Sequence, residues 1–200
     1  MKKYTITKSK ESKYVWFQIA KNASRTTVNY LNENTKVDFG FPLYLNKDAG
    51  YQKPYESEYD DYFKFTIVRN PWDRILSFYL NKIHGKDVYT ENYSSFSECK
   101  TLRDTISILM TKNLKDCDVH YQLQIECFPS DNIDFIGRFE NLQHDFNIIC
   151  DKIGIPRQQL PHKNKSKHKS YTEYYDEETK SIVAEKYAKD IEYFGYKFGE

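Results

Sequence analysis

Two short stretches of this 200-residue chain combine residue types able to hold a phosphate. One runs Phe65-Thr66-Ile67-Val68-Arg69-Asn70-Pro71-Trp72-Asp73-Arg74-Ile75-Leu76-Ser77-Phe78-Tyr79, an apolar β-rich run that meets polar residues and then an amphipathic stretch. Proline has no amide hydrogen, so Pro71 suits a first helical turn, and Asn70 is its natural N-cap. A helix starting there presents unpaired amides and the positive end of its dipole. Arg69 stands beside that end and Ser77 two turns in, so together they could hold an anion. The same residues would serve equally as a plain capped helix in which Arg69 pairs with a surface carboxylate.

The second stretch is Gln18-Ile19-Ala20-Lys21-Asn22-Ala23-Ser24-Arg25-Thr26-Thr27. Small and hydroxyl residues lie between a strand pattern and a helix pattern, with Lys21 at the turn. Such a loop wraps backbone amides around a phosphate while the lysine supplies a point charge and the hydroxyls donate hydrogen bonds. It is not a Walker A loop, because Gly-x-x-x-x-Gly-Lys-Ser/Thr is absent, and alone it reads as a solvated turn. Two such junctions in one small chain point to a ligand with phosphates at both ends, each needing its own anion site.

The elements that must position these residues alternate between strand and helix patterns, without internal repeats. Tyr14 to Ile19 predicts a strand, followed by a helix whose apolar side carries Thr27, Val28 and Leu31. Residues 34–63 contain Gly40, Pro42, Gly50 and Pro54 without a sustained period and read as a long loop. Ser95 to Glu98 offers a capping box ahead of Leu102, Ile106 and Leu109. Ile133 to Gly137 predicts a strand, leading into a helix with Leu142, Phe146, Ile149 and Ile153 that stops at Gly154 and Pro156. One last helix starts at the N-cap Asp176 and carries Val183, Tyr187, Ile191 and Phe194. Strand-then-helix units predict an α/β chain, a central parallel sheet flanked by helices. Length predicts a single domain over residues 1–200.

Composition narrows the classes. Thirty Lys and Arg against 29 Asp and Glu leave a net charge of +1, so nothing global favours wrapping nucleic acid or adsorbing to a membrane, and any basic site is local. Cys99, Cys117, Cys127 and Cys150 are widely spaced with no Cys-x-x-Cys pair, which predicts buried reduced thiols; Cys117 and Cys127 could bridge in an oxidising compartment. The start, Met1-Lys2-Lys3, is basic but no apolar core follows, so the expected location is cytoplasmic. No run approaches the roughly twenty apolar residues that span a bilayer.

These motifs, in this order, resemble the sulfotransferases that use 3'-phosphoadenosine 5'-phosphosulfate, particularly the branch acting on carbohydrates. Lys21 to Thr27 looks like the family's 5'-phosphosulfate loop, and Arg69-Asn70-Pro71-Trp72-Asp73-Arg74 through Ser77 like its 3'-phosphate motif. Further similarity lies in His120-Tyr121-Gln122-Leu123-Gln124, in Phe135-Ile136-Gly137-Arg138-Phe139-Glu140-Asn141-Leu142, in Pro161-His162-Lys163-Asn164-Lys165-Ser166 and in Tyr193-Phe194-Gly195-Tyr196-Lys197-Phe198. The resemblance covers most of the chain and implies a P-loop-like nucleotide-binding fold. Two positions depart from it: Ala20 stands where the family usually has proline, and Arg25 where threonine is common, with Thr26 and Thr27 after it. Arg25 could itself grip a sulfate or phosphate oxygen or sit in solvent.

The resemblance implies transfer of a sulfuryl group to a carbohydrate hydroxyl, with no metal required. Positioning and charge carry such a reaction. Lys21 is then catalytic at the sulfate end, with Asn22, Ala23, Ser24, Arg25, Thr26 and Thr27 around the phosphosulfate, while Arg69 and Ser77 take the 3'-phosphate. The acceptor needs a group to receive its proton, and histidine titrates in the right range. Among His84, His120, His144, His162 and His168, His120 lies in the family-like segment and is the preferred base, although a structural histidine bonded to backbone is an equal reading. His144 beside Asp145 reads as solvated and His84 as a cap near a helix end. Glu33, Asp38, Glu56 and Glu58 are the carboxylate alternatives to His120. The run Lys163, Lys165, Lys167, His168 and Lys169 could close over the donor or attract an anionic saccharide, and Arg138 could do the same unless it pairs with Glu140. Two competing readings are a nucleotide or small-molecule kinase of related fold, for which no Walker A or Mg-binding strand end is recognisable, and a nucleic-acid-binding module using Lys163 to Lys169 with Tyr171, Tyr174 and Tyr175, against which the near-neutral charge weighs.

Overall fold

Among the described residues five strands form a sheet in the order β3-β1-β2-β4-β5, where β1 is Lys3–Ser9, β2 Tyr14–Phe17, β3 Gln52–Pro54, β4 Phe63–Val68 and β5 Phe135–Arg138; all but β3 carry β-branched or aromatic residues. The computed structural model describes residues 2–38, 52–85, 93–115, 117–160 and 169–200. The chain divides into two compact units, Met1–Val68 with Glu126–Lys165, and Arg69–Ile125 with Ser166–Glu200.

The first unit holds the sheet. β2, β4 and β5 are parallel neighbours, with Trp16 opposite Phe65 and Phe65 opposite Phe135, as the strand-then-helix pattern predicts. The expectation of a central parallel sheet holds for these strands and is corrected at the other side, because β1 pairs antiparallel with both β2 and β3. The reason is loop length: only Lys10 to Lys13 separate β1 from β2, too few residues for the crossover that parallel pairing requires. Lys13, at φ 52, takes the left-handed conformation that closes this hairpin. β3 corrects a second expectation, since it lies inside the stretch read as a long loop. Its Pro54 pairs at the sheet edge, where a missing N–H donor costs nothing.

Period-2 alternation puts Tyr14, Trp16, Phe65 and Ile67 in one core, where α1 (Ser24–Asn34) contributes Val28, Tyr30 and Leu31 and α4 (Leu142–Ile153) contributes Phe146, Ile149, Cys150 and Ile153. Trp16 and Phe65 stack with ring planes 4° apart, and Tyr30 meets Phe146 edge-on. Ile149 is fully buried, so Ile149→Ala should destabilise by roughly 2–5 kcal/mol. α4 ends where the sequence says it should, with Gly154 left-handed at φ 71.

The second unit is helical: α2 (Pro71–Phe78), α3 (Leu102–Met110), α5 (Glu177–Lys186) and α6 (Ala188–Phe194), with a π-helical turn at Tyr79–Ile83. Phe78 sits among Tyr93, Phe96 and Tyr121, all edge-on. Asn70 caps α2 as expected, its side chain accepting from the Trp72 amide at 3.2 Å. α3 covers the expected apolar positions, but its capping box is Thr101 with Asp104, whereas Ser94–Phe96 forms a separate 3-10 turn. The single C-terminal helix divides at Tyr187, whose backbone leaves the helical region at φ −105, ψ 20 while its buried hydroxyl donates to the Tyr121 carbonyl at 2.7 Å. All four cysteines are free thiols; Cys127 and Cys150 are buried, Cys99 and Cys117 half-buried. Among the described residues no helix is long and apolar enough to cross a membrane.

Candidate functional site

The turn between β2 and α1 carries two of the three non-glycine residues at positive φ among the described residues. Lys21 and Ala23 both lie in the left-handed region, at φ 74 and φ 60, although neither is glycine. A side chain there costs roughly 1–2 kcal/mol per residue, so the turn is held by its surroundings. Asn22, buried between them, donates from Nδ2 to the Ile67 carbonyl at 2.8 Å and ties the turn to the end of β4. The Ser24 hydroxyl donates to the Ile19 carbonyl at 2.9 Å and closes the loop across its base. The first intrahelical bond of α1 runs from Thr27 N–H to the Ala23 carbonyl, so the amides of Ser24, Arg25 and Thr26 form the helix's opening turn, where no acidic residue stands. Alternating left-handed residues ahead of a helix start converge backbone amides on one point, the arrangement that binds anions. Thr27 is fully buried, and its Oγ1 has no hydrogen-bond partner. Lys21 and Thr26 are half-buried and Arg25 is exposed.

At the start of α2, Arg69 is buried and its Nε donates to Asp73 Oδ2 at 2.8 Å. The carboxylate alternative raised by the sequence is therefore present, though inside the structure: Asp73 is only 16 % exposed. Arg69, Asp73 and Ser77 recur four apart; Asp73 and Ser77 share one face of α2, Arg69 lies just ahead of its N-cap, and Ser77 is half-buried. The Arg69 backbone is held as well. Its amide donates to Gln124 Oε1 at 2.9 Å, and its carbonyl accepts from Gln124 Nε2 at 2.8 Å.

His120 lies in the same unit. Asp118 Oδ1 takes both its backbone amide, at 2.9 Å, and its Nδ1, at 2.7 Å, and the Tyr93 hydroxyl is 2.9 Å from the same ring nitrogen. Burial raises the Asp118 carboxyl, but the hydrogen bond and charge of His120 outweigh it and leave Asp118 below the usual carboxylate range. An ionised Asp118 accepts the Nδ1 proton, which leaves Nε2 as the basic nitrogen. Burial, with Asp118 beside it, pushes the Tyr93 phenol well above its ordinary value, so Tyr93 remains a donor.

The other expected groups are placed as follows. Glu33 is exposed on α1; Asp38 accepts from the Lys10 amide; Glu56 accepts from the Tyr59 hydroxyl; Glu58 pairs with the buried Lys8, which lowers its carboxyl. Three of these four carboxylates thus have structural partners. His144 is exposed against Asp145, and His84 stacks on Tyr79 where the π-helical turn ends. Arg138 closes β5 with its amide on Asp145 Oδ2. Lys163, Lys165, Lys167, His162 and His168 lie outside the described residues, while Lys169 pairs with Glu173. Among the described residues no group of three or more His, Cys, Asp or Glu could hold a metal ion.

Lys21 to Thr27 therefore lie together in the first unit, and Arg69, Ser77 and His120 in the second. Sequence reasoning missed the groups that hold them. Asp118 and Tyr93 grip His120; Gln124 grips Arg69; Arg74, only 1 % exposed, donates to the carbonyls of Gln122 and Val119 on either side of His120. The Asp-x-His spacing of Asp118 and His120 was a readable signal, whereas Tyr93 and Arg74 are brought there only by folding.

The chain is similar to known proteins over most of its length. A model described as the sulfotransferase family matches residues 4–197. The chain is 25% identical over 192 residues to human carbohydrate sulfotransferase 9, covering 86% of this chain and 40% of that protein. It is 26% identical over 162 residues to carbohydrate sulfotransferase 14 of Danio rerio, covering 68% and 44%. An uncharacterized protein of Archaeoglobus fulgidus is 27% identical over 101 residues, covering 50% of this chain and 74% of that one. The chain thus spans less than half the length of the two named relatives. No solved structure matches it significantly.

Proposed function

Because the chain belongs to the sulfotransferase family, in its carbohydrate branch, we propose that it moves a sulfuryl group from 3'-phosphoadenosine 5'-phosphosulfate to a hydroxyl of a carbohydrate acceptor. The observation that carries this reading is the Lys21-Asn22-Ala23 turn, with two non-glycine residues at positive φ ahead of a helix whose first turn has no acid. Residues held at such cost, with the fully buried Thr27 hydroxyl lacking a partner beside them in sequence, fit an anionic group better than they fit a solvated turn.

Each group has a role in its own unit. Around the 5'-phosphosulfate, Lys21 supplies the charge, the opening amides of α1 supply donors, and Asn22 and Ser24 keep the turn in shape. The Ser24 hydrogen is already given to Ile19, so its part there is through the backbone. Arg69, just ahead of α2, and Ser77, within it, take the 3'-phosphate. The donor brings the sulfuryl group; the protein orients it and excludes water. His120, with its proton fixed on Nδ1 by Asp118, receives the acceptor's proton at Nε2. An anionic saccharide is the acceptor class suited to the lysine-rich 163–169 segment.

A labelled-sulfate assay against a panel of oligosaccharides and polysaccharides tests the whole reading. Lys21→Ala should lower kcat by about 10²–10³, the scale set by removing one donor from a developing negative charge. An unchanged rate in that variant would refute the role of the turn. Calorimetry tests the donor alone: 3'-phosphoadenosine 5'-phosphate should bind far more tightly than AMP, and Arg69→Ala should erase the preference. Equal affinities in the unmodified protein would refute the donor assignment.

A further inference from the structure

We propose that Gln124 and Asp190 are positioning residues that hold Arg69 ready for the 3'-phosphate, an inference that rests on the role given to Arg69 above. β4 ends at Val68, so Arg69 is the first residue beyond the sheet's hydrogen-bonded ladder. Its peptide groups are buried, and a buried N–H or C=O left unpaired is costly. Gln124 supplies what the ladder no longer does. Its carboxamide accepts from the Arg69 amide through Oε1 and donates to the Arg69 carbonyl through Nε2, at 2.9 and 2.8 Å, the two-bond exchange that a paired strand would make. Only one orientation of the amide satisfies both partners.

Gln124 is itself anchored. Asp190, on α6 and fully buried, accepts from the Gln124 amide with Oδ2 at 2.8 Å and from the Ile125 amide with Oδ1 at 3.0 Å. A carboxylate holding two adjacent amides fixes the peptide between them, and so fixes where the Gln124 side chain begins. From the other direction, Asp73 holds Arg69 Nε. The arginine is thus restrained at its amide, its carbonyl and its guanidinium before any ligand arrives. A long side chain ordered in advance gives up less freedom on binding, which is what preorganisation contributes to affinity. Filling the Gln124 position for volume alone would need only an apolar side chain such as methionine, and methionine cannot make either bond.

The test compares binding of 3'-phosphoadenosine 5'-phosphate and of AMP by calorimetry in the unmodified full chain, Gln124→Met, Asp190→Asn and Arg69→Ala. Gln124→Met should weaken 3'-phosphoadenosine 5'-phosphate about tenfold and leave AMP within twofold, because the loss is confined to the placement of one phosphate ligand. Asp190→Asn keeps the shape but only one good acceptor, and should shift the same ratio about threefold. In turnover both should raise KM for the donor with kcat little changed. A general loss of packing would weaken both nucleotides together, so the ratio reports positioning. A folded Gln124→Met that keeps the full preference overturns the proposal, and so does failure of both variants to fold, which would make the pair purely structural. If Arg69→Ala also keeps the preference, the donor reading itself fails. If only Arg69→Ala erases it, that reading stands and the positioning role falls.

Discussion

Ala23→Gly is a sharp test of the claim that the β2–α1 turn stores strain for ligand binding. Ala23 sits at φ 60, ψ 21, as the N-cap of α1, and makes no side-chain cap bond, so removing its methyl group loses no hydrogen bond. The left-handed conformation costs an L-residue roughly 1–2 kcal/mol, which glycine avoids. Against this, glycine gives the unfolded chain more freedom, worth about 0.4–1 kcal/mol. The balance is a net stabilisation of about 0.5–1 kcal/mol, in the same direction as the ordinary preference for glycine over alanine at an N-cap. With a urea slope of roughly 2 kcal/mol/M, the midpoint of unfolding should rise by about 0.25–0.5 M at constant slope. Ala23→Val, which brings a β-branched side chain to the same φ, should lower it. Donor affinity should fall a few-fold in the glycine variant, since its turn is less firmly preset. A glycine variant less stable than the parent would refute the idea that this backbone is strained, and with it the main physical argument for an anion-binding turn.

Other outcomes follow from individual contacts. Arg74→Met leaves the Gln122 and Val119 carbonyls without their donors and should destabilise by roughly 2–5 kcal/mol in urea unfolding. Arg74→Lys keeps the charge but not the fork that reaches both carbonyls, and should fall between it and the parent; a lysine variant equal to the parent would contradict this. The Thr179 amide and hydroxyl, then Arg103, hold the Asp176 carboxyl down to about 2. Its folded value lies below its unfolded one, so its contribution is present above about pH 4 and is lost as pH falls toward 2. The urea midpoint of the parent should therefore drop through that window more steeply than that of Asp176→Asn, which still offers a cap acceptor. Burial pushes the Cys150 thiol up to about 11, so a disulfide reagent applied to the native protein should modify Cys99 and Cys117 and reach Cys150 only on unfolding; prompt reaction at Cys150 would contradict its burial.

Much of the scaffold was legible because local rules decide it. Asn70-Pro71 starts α2, Gly154 ends α4, Asp176 starts α5, and the apolar spacing of Val28, Leu31, Phe146 and Ile149 picks the faces that meet the sheet. Each depends on groups a few residues apart, which a sequence displays directly. Two expectations that missed depended on partners far along the chain, whereas the antiparallel β1–β2 pairing followed from a short local loop. Gln52–Pro54 is a strand that pairs with β1, and the C-terminal helix divides at Tyr187, whose hydroxyl donates to the Tyr121 carbonyl 66 residues away.

The candidate site divides the same way. By itself the sequence determined which residue types were present: a lysine among small and hydroxyl residues, an arginine at a helix start, a histidine two places after an aspartate. Only the tertiary structure decided their condition. It put Lys21 and Ala23 at positive φ, set the Arg69 guanidinium against Asp73 and its peptide against Gln124, and set His120 Nδ1 against Asp118 Oδ1. The physical reason is that an anion site and a proton acceptor are defined by direction. Amides, guanidinium and imidazole bind only along particular lines, and those lines are fixed by groups such as Asp190, 66 residues away from the Gln124 amide it holds.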